Sequence, residues 1–163
     1  MTKPSAAYNA LVATKQLSAD PKQMALLPHF DALYLTLTKP QSNKFSVWIQ
    51  GMLAKQQPTI GLYLWGGVGI GKTQLMDVFY DSLPFENKKR LHFHAFMQQI
   101  HKALTQHQGE KDPLQKIAKA LAKETKVLCF DEVAVDDITD ALLLAGLFKG
   151  LFAEGVCLVA TSN

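Results

Sequence analysis

One eight-residue stretch limits the possible folds of this chain more than any other feature. Residues 66–73 read GGVGIGKT, the apolar segment IGLYLW precedes them, and a segment with helical periodicity follows. The stretch fits GxxxxGK[ST], in which glycines let successive backbone N–H groups turn around phosphate oxygens at the positive end of a helix. The order of strand, glycine loop and helix therefore predicts a phosphate-binding loop rather than a chance glycine-rich turn.

The predicted loop gives its residues distinct tasks. Lys72 would bring a positive charge to the β- and γ-phosphates of a nucleotide, and Thr73 would offer a hydroxyl group to Mg²⁺. The residues predicted to surround the phosphates are Gly66, Gly67, Val68, Gly69, Ile70, Gly71, Lys72, Thr73 and Gln74.

Strands and helices alternate from residue 59 onwards, which defines the predicted fold. Strands are expected over 60–65, 90–96, 127–132 and 156–163, and helices over 71–83, 96–107, 113 onwards and 138–152. Such alternation predicts right-handed crossovers and a parallel sheet. The strands VLCF and VCLVA are apolar throughout, so helices should cover both faces. We therefore predict a three-layer α/β fold of the P-loop NTPase type over residues 58–163.

Residues 1–57 lack strand patterns and are predicted to form a separate helical segment. Asp20-Pro21-Lys22-Gln23 predicts a helix start, with Asp20 as N-cap and Gln23 reaching back in a capping box. A second interpretation has Gln23 reading adenine. Pro28 predicts a kink or a shortened first turn, and a second helix is expected over 45–53. The predicted buried face of the first helix comprises Met24, Leu27, Phe30, Tyr34 and Leu37.

An acidic pair follows the buried strand VLCF. Asp131 is positioned to hold Mg²⁺ through water, and Glu132 could take a proton from an attacking water. The plainer alternative is two solvated carboxylates, but the carboxyl ends of parallel strands face the ligand crevice. Asp-Glu, rather than the Asp-x-x-Gly of Ras-like GTPases, favours the ATPase branch that keeps a catalytic glutamate. In that branch a polar residue at a neighbouring strand tip orients the water, and Asn163 is the candidate γ-phosphate sensor.

Composition narrows the remaining possibilities. The 163 residues suit one domain, with 48% hydrophobic and 19% charged residues and a net charge of +3. The densest basic run, Lys88-Lys89-Arg90, is short and is interpreted as a solvated turn, so nucleic-acid binding is not favoured. Cys129 and Cys157 lie in apolar runs and are expected to be buried, reduced thiols. We find no signal peptide and no apolar run long enough to span a bilayer, so a cytosolic protein is predicted.

A cluster of histidines and aromatic residues follows the second strand. His92 and His94 should share one strand face, with His101 on the next helix, and hydrogen-bonded structural roles are favoured over a zinc site. Phe96 and Met97 could form an aromatic loop that grips a polypeptide, or could pack into the core.

Five regions of the chain carry a family resemblance: GLYLWGGVGIGKTQLMD, RLHFHAFMQQIHKAL, DPLQKIA, LCFDE with DITDALLL, and GVCLVATSN. In sequence and in order, these regions resemble the ZapE/AFG1-like AAA+ ATPases. Ile70 departs from the arginine usual in relatives, and Val133-Ala134 from a more aromatic pair. The resemblance implies an AAA+ fold and Mg²⁺-dependent ATP hydrolysis with Glu132, Lys72 and Asn163 as catalytic residues.

The resemblance also implies a biological setting. ATP hydrolysis would drive remodelling of a protein partner, which is the FtsZ ring in bacterial relatives and membrane-associated proteins under quality control in mitochondrial ones. A cytoplasmic homo-oligomer, peripheral to the inner membrane at the division site, is implied. Two other functions stay open: a nucleotide-gated binding module without turnover, and a DNA-handling AAA+ loader.

The resemblance finally predicts how the sheet is arranged. Relatives continue past Asn163 into an arginine-finger helix, a fifth strand and a helical lid, so this chain is expected to be an N-terminal fragment that ends at the sensor strand. The strand order should be 2-3-4-1, which leaves the P-loop strand on an edge.

Overall fold

The computed structural model describes residues 2–39 and 61–163. The predicted helix over 45–53 and the predicted boundary between 57 and 58 lie outside these ranges. The elements, in chain order, are α1 (Pro4–Ala13), α2 (Pro21–Thr38), β1 (Gly61–Trp65), α3 (Lys72–Ser82), β2 (Lys88–His92), α4 (Phe93–Gln106), α5 (Pro113–Glu124), β3 (Val127–Asp131), α6 (Ile138–Ala153) and β4 (Cys157–Ser162).

The four strands form one parallel sheet in the order β1-β4-β3-β2, which confirms the predicted order. Strand β4 lies between the strand that leads into the glycine loop and the strand that ends in Asp131, with Trp65 opposite Ser162 and Phe130 opposite Ala160. All strands run in the same direction, so their carboxyl ends meet at one edge of the sheet. The glycine loop, the acidic pair and Asn163 therefore emerge side by side.

Helices cover both faces of the sheet, as the apolar strands predicted. Alternate residues of β3 point to opposite faces because a strand has a period of two. Val127 and Cys129 pack with α1, α2 and α3, whereas Leu128 and Phe130 pack with α4, α5 and α6. Both cysteines are free and buried, as predicted.

Helix α2 packs on α3 as part of the same core. Leu27, Phe30, Tyr34 and Leu37 are buried as predicted, but Met24 is 47% exposed and Leu33 takes a buried position instead. The prediction for Met24 was wrong because the buried stripe of the helix runs through Gln23, whose side chain lies against the glycine loop. The helix is continuous from Pro21 to Thr38, so its first turn is not shortened by Pro28.

The second strand is shorter than predicted. It ends at His92, and α4 begins at the next residue. The apolar residues Phe93, Phe96, Met97 and Ile100 have helical spacing, and burying that stripe favours a helix over a longer strand. His92 therefore ends a strand while His94 lies in a helix beside Gln98, and the predicted shared strand face was wrong.

The position of Phe96 decides between the two interpretations of Phe96-Met97. Phe96 is 1% exposed and its ring centroid lies 4.6 Å from that of Phe130, while Met97 is 5% exposed. Both side chains belong to the core on the α4–α5–α6 face. The structure therefore supports the core interpretation. The alternative, an aromatic loop that grips a polypeptide, was wrong because both side chains are buried.

The basic run lies on β2 and is not a solvated turn. Lys88 Nζ donates to the carbonyl oxygens of Tyr80 and Leu83 at 2.7 and 2.9 Å, at the negative end of α3. Lys89 pairs with Glu124 at 3.0 Å, and Arg90 is paired as well. The solvated-turn interpretation was wrong because strand pairing aims these side chains at acceptors on both sides of the sheet.

The start of α5 differs from its prediction in one respect. The helix begins at Pro113, as the sequence predicted, but Asp112 has a left-handed backbone and its side chain makes no capping hydrogen bond.

Among the described residues, every helix is too short or too polar to cross a lipid bilayer.

Candidate nucleotide-binding site

The glycine loop joins β1 to α3 through backbone conformations that side chains disfavour. Gly69 and Gly71 have φ values of +84° and +74°, in the left-handed region where glycine carries little steric cost. A Cβ atom at Gly71 would lie 2.0 Å from Nε2 of Gln23, so a side chain there would displace the end of the Gln23 side chain. Gly71 immediately precedes the helix, which lets the free N–H groups of the first turn face the loop interior.

Lys72 folds back over the loop that precedes it. Its Nζ atom donates to the carbonyl oxygens of Gly66 and Gly67 at 2.7 and 2.8 Å and to Oδ1 of Asn163 at 3.0 Å. The residue is only 8% exposed. All three acceptors are neutral and do not balance the positive charge of the ammonium, so an anion in the loop could replace these contacts.

The acidic pair has two different environments. Asp131 ends β3 and is 7% exposed; its Oδ2 accepts from Nε of Arg90 at 2.7 Å, whereas its Oδ1 is buried without a hydrogen-bond partner. Glu132 is exposed and has a left-handed backbone with φ of +55°. Its N–H donates to Oγ1 of Thr161 at 3.2 Å, so the tip of β4 supports this turn.

The predicted metal ligands line one small cavity. A space of about 380 Å³ is bordered by Thr73, Arg90, Leu91, His92, Asp131 and Glu132. The unpartnered Oδ1 of Asp131 and the hydroxyl of Thr73 are oxygen donors of the kind that Mg²⁺ prefers. These residues therefore fit the expected ion. Within residues 2–39 and 61–163, no three His, Cys, Asp or Glu side chains cluster as an all-protein metal site.

A larger cavity lies on the other side of the loop. It measures about 670 Å³, and segment 16–23 borders it together with Gly69, Ile70 and Gln74. Gln23 is buried, its Nε2 donates to the carbonyl oxygen of Ile70 at 3.3 Å, and its Oε1 has no partner. One residue at the border of this cavity therefore has a buried amide oxygen that lacks a hydrogen bond.

The predicted capping box at Asp20 is only half formed. The Asp20 carboxylate accepts from the backbone N–H groups of Lys22 and Gln23 at 2.7 and 3.4 Å, as an N-cap should. The reciprocal bond from Gln23 is absent, because the N–H of Asp20 donates to the hydroxyl oxygen of Tyr8 instead. The predicted capping role of Gln23 was therefore wrong. The pattern of residues 20–23 could not reveal this, because the group that replaces Gln23 belongs to Tyr8, which lies outside that pattern.

The structure brings several of the predicted site residues together at the carboxyl edge of the sheet, where they line two cavities with no lining residue in common. Lys72 touches Asn163, Thr73 shares a cavity with Asp131 and Glu132, and Gln74 borders the larger cavity. Two contributors were missed: Arg90, which was interpreted as part of a solvated basic run, and Thr161, which lies two residues before Asn163. The period of two in β3 and β2 could have placed Arg90 near Asp131 had the strand register been known.

A parallel sheet in this order, with a glycine loop after β1 and an acidic pair at the end of β3, defines a P-loop NTPase of the AAA+ type. A solved structure of DnaI agrees in fold, with a TM-score of 0.57 at 15% identity over 91% of this chain and 70% of that one. The profile of the AFG1-like ATPase family matches residues 2–163. The chain belongs to the AFG1-like ATPase family.

Two proteins are similar to this chain in sequence. The cell division protein ZapE of Escherichia coli is 60% identical over 117 residues, which cover 72% of this chain and 31% of that protein. Lactation elevated protein 1 homolog B of Danio rerio is 44% identical over 121 residues, covering 68% of this chain and 24% of that protein. The chain thus spans about a third or less of the length of these relatives.

Proposed function

We propose that this chain carries the phosphate- and metal-binding half of an ATPase site. The observation that carries the proposal is the position of Lys72, whose ammonium lies inside the glycine loop and 3.0 Å from the amide oxygen of Asn163. A triphosphate in the loop would meet this charge with its β- and γ-phosphates. Membership of an ATPase family supports ATP as the nucleotide.

Hydrolysis would use the residues at the tips of β3 and β4. Thr73 and the free Oδ1 of Asp131 would hold Mg²⁺, which neutralises charge on the phosphates when it is bound. Glu132 is exposed at the mouth of the same cavity and would accept the proton of the attacking water. Asn163, released from Lys72 by the incoming phosphate, would orient that water. The turn at Glu132 is held by Thr161, so base and sensor are positioned by the same strand.

The larger cavity is proposed to receive the adenine ring. The unpartnered Oε1 of Gln23 is an acceptor, and adenine presents an exocyclic amino group, whereas guanine presents an oxygen at the equivalent position. The burial of Gln23 against the glycine loop keeps this acceptor in place. The interpretation of Gln23 as an adenine reader is therefore favoured over the cap.

We further propose that nucleotide turnover is coupled to remodelling a protein partner during cell division. The name of the Escherichia coli relative supports the process, and the family resemblance suggests the FtsZ ring at the cytoplasmic face of the inner membrane. A homo-oligomer is proposed because the family resemblance implies that an arginine from a neighbouring subunit completes the site. The engagement of Lys88, Lys89 and Arg90 within the chain speaks against the DNA loader.

Steady-state ATP turnover, measured against protein concentration, tests the proposal. The rate per subunit should rise with concentration if an oligomer completes the site. Glu132→Gln should bind a non-hydrolysable ATP analogue with unchanged affinity and lose turnover by a factor of about 10²–10⁴, the usual contribution of a general base. If turnover is undetectable while Mg²⁺-dependent analogue binding persists, the nucleotide-gated binding module is the correct function.

A further inference from the structure

We infer that Arg90 is the positioning residue for the magnesium ligand Asp131, and that it acts by holding one carboxylate oxygen so that the other faces the metal. This inference rests on the proposed function. The glycine-loop motif does not explain the contacts that the side chain of Arg90 makes. Arg90 is in the middle of β2, and its side chain lies between two carboxylates from different elements.

The first carboxylate is Asp131 at the end of β3. Nε of Arg90 donates to its Oδ2 at 2.7 Å, and the side chain of Asp131 is 10% exposed. The second carboxylate is Asp77, which lies in the middle of α3 and pairs with the Nη1 atom of Arg90. A planar guanidinium can donate in two directions at fixed angles. Arg90 therefore links the helix that begins at the glycine loop to the strand that ends at the acidic pair.

The two oxygens of Asp131 have different environments. Oδ2 is bonded to Arg90, while Oδ1 is buried and lacks a partner. A buried oxygen without a partner is costly unless something else binds it. Because Arg90, Thr73 and Asp131 line the same cavity, Oδ1 is the oxygen left for the ion.

The charges favour positioning over competition with the metal. Arg90 carries one positive charge, whereas Asp77 and Asp131 together carry two negative ones, so the group keeps a net negative charge beside the cavity. The Nη1 atom of Arg90 is paired with Asp77, and the guanidinium makes no hydrogen bond to the free oxygen. Arg90 can therefore stay bound to Oδ2 when Mg²⁺ arrives at Oδ1.

The test measures how much Mg²⁺ tightens nucleotide binding. A fluorescent non-hydrolysable ATP analogue is titrated into the intact protein, once with excess Mg²⁺ and once with EDTA, and the ratio of the two Kd values is the magnesium gain. Arg90→Met should lower this gain about 10- to 100-fold, the range seen when partners of metal ligands are lost. Its Kd in EDTA should stay close to that of the unmodified protein.

Three further variants make the result specific. Lys89→Met removes the same charge from the neighbouring position of β2, where the side chain pairs with exposed Glu124, and should leave the gain unchanged. Arg90→Lys keeps the charge but cannot donate in two fixed directions, so its magnesium gain should lie between those of the unmodified protein and Arg90→Met. Asp77→Asn weakens the pairing of Arg90 with half-exposed Asp77 and should lower the magnesium gain less than Arg90→Met does. If Arg90→Met does not fold, Asp77→Asn is the variant that tests whether Arg90 positions Asp131.

Two results would overturn the inference. An unchanged magnesium gain in Arg90→Met, with a lowered melting temperature, would make Arg90 a structural ion pair only. A raised gain would make it a competitor of the metal. If the unmodified protein binds the analogue under neither condition, the proposed ATPase site itself is wrong, and this outcome is distinct from the other two.

Discussion

Nζ of Lys72 lies 3.0 Å from Oδ1 of Asn163, which joins the first residue of α3 to the residue after β4 across 91 positions of sequence. The contact passes over the point where the γ-phosphate is proposed to lie. An arriving phosphate would have to take the ammonium away from the amide, so nucleotide binding and the position of Asn163 are linked. This link can be tested with changes at Asn163 alone.

Replacing Asn163 by Asp should weaken ATP binding more than replacing it by Ala. The aspartate would neutralise Lys72 and repel the γ-phosphate, since like charges in close contact cost several kcal/mol, and a loss of affinity of about 10-fold or more is expected. Asn163→Ala should bind normally and lose turnover. Analogue titration of both variants checks this, and equal affinities for the two would contradict the proposed position of the phosphate.

Replacing Gln23 by Leu should lower the preference for ATP over GTP. The change removes the acceptor proposed for the adenine amino group, and a lost hydrogen bond to a buried group corresponds to about 1–3 kcal/mol. Competition titrations with ATP and GTP measure the ratio directly. Gln98→Leu, on α4, is the matched control and should leave the ratio unchanged. A parallel loss for both nucleotides would show that Gln23 only supports the loop at Ile70.

Replacing Phe96 by Ala should destabilise the fold without touching the nucleotide site directly. The ring is fully buried against Phe130, and truncating such a residue costs about 3–5 kcal/mol of unfolding free energy. Urea denaturation measures the loss. Leu142→Ala removes an apolar side chain that is 71% exposed and should change stability by about 0.5 kcal/mol or less. Similar values for both variants would argue against the core position of Phe96.

The two cysteines should make the fold sensitive to alkaline pH. Burial raises the pKa of Cys129 and of Cys157 from 9.0 to about 12, and for Cys129 the neighbouring Cys157 adds to the effect. The folded state therefore favours the neutral thiols, and their stabilising effect is complete below pH 9 and is lost as the pH rises towards 12. Denaturant midpoints should fall over this range.

A variant with both cysteines replaced by alanine supplies the control for the alkaline experiment. Its midpoint will be lower at neutral pH, because two buried side chains are truncated. Its decline above pH 9 should be shallower than that of the unmodified protein. Equal slopes would assign the alkaline sensitivity to other groups.

The strands of the sheet were predicted well because short, contiguous segments of sequence identify them. The apolar runs at β3 and β4 and the glycine loop before Lys72 each lie within a few residues, and the parallel direction of the strands follows from their alternation with helices. The order of the strands was predicted from the family resemblance. The start of α4 at Phe93 was missed because a strand and a helix both fit the residues around it. The surroundings of Gln23 and Arg90 could not be predicted, since each depends on a partner more than 40 residues away.

Helices α1 and α2 share one core with α3, and Phe30 and Phe79 lie with ring centroids 5.4 Å apart. A recombinant piece that began at β1 would leave the buried side of α3 facing water, and its solubility would suffer. Over evolutionary time, the two regions should therefore accept substitutions in concert: a smaller residue at Tyr8 or Phe30 would call for a larger one on the facing helix. Homologous segments swapped between species should function only when both are exchanged together.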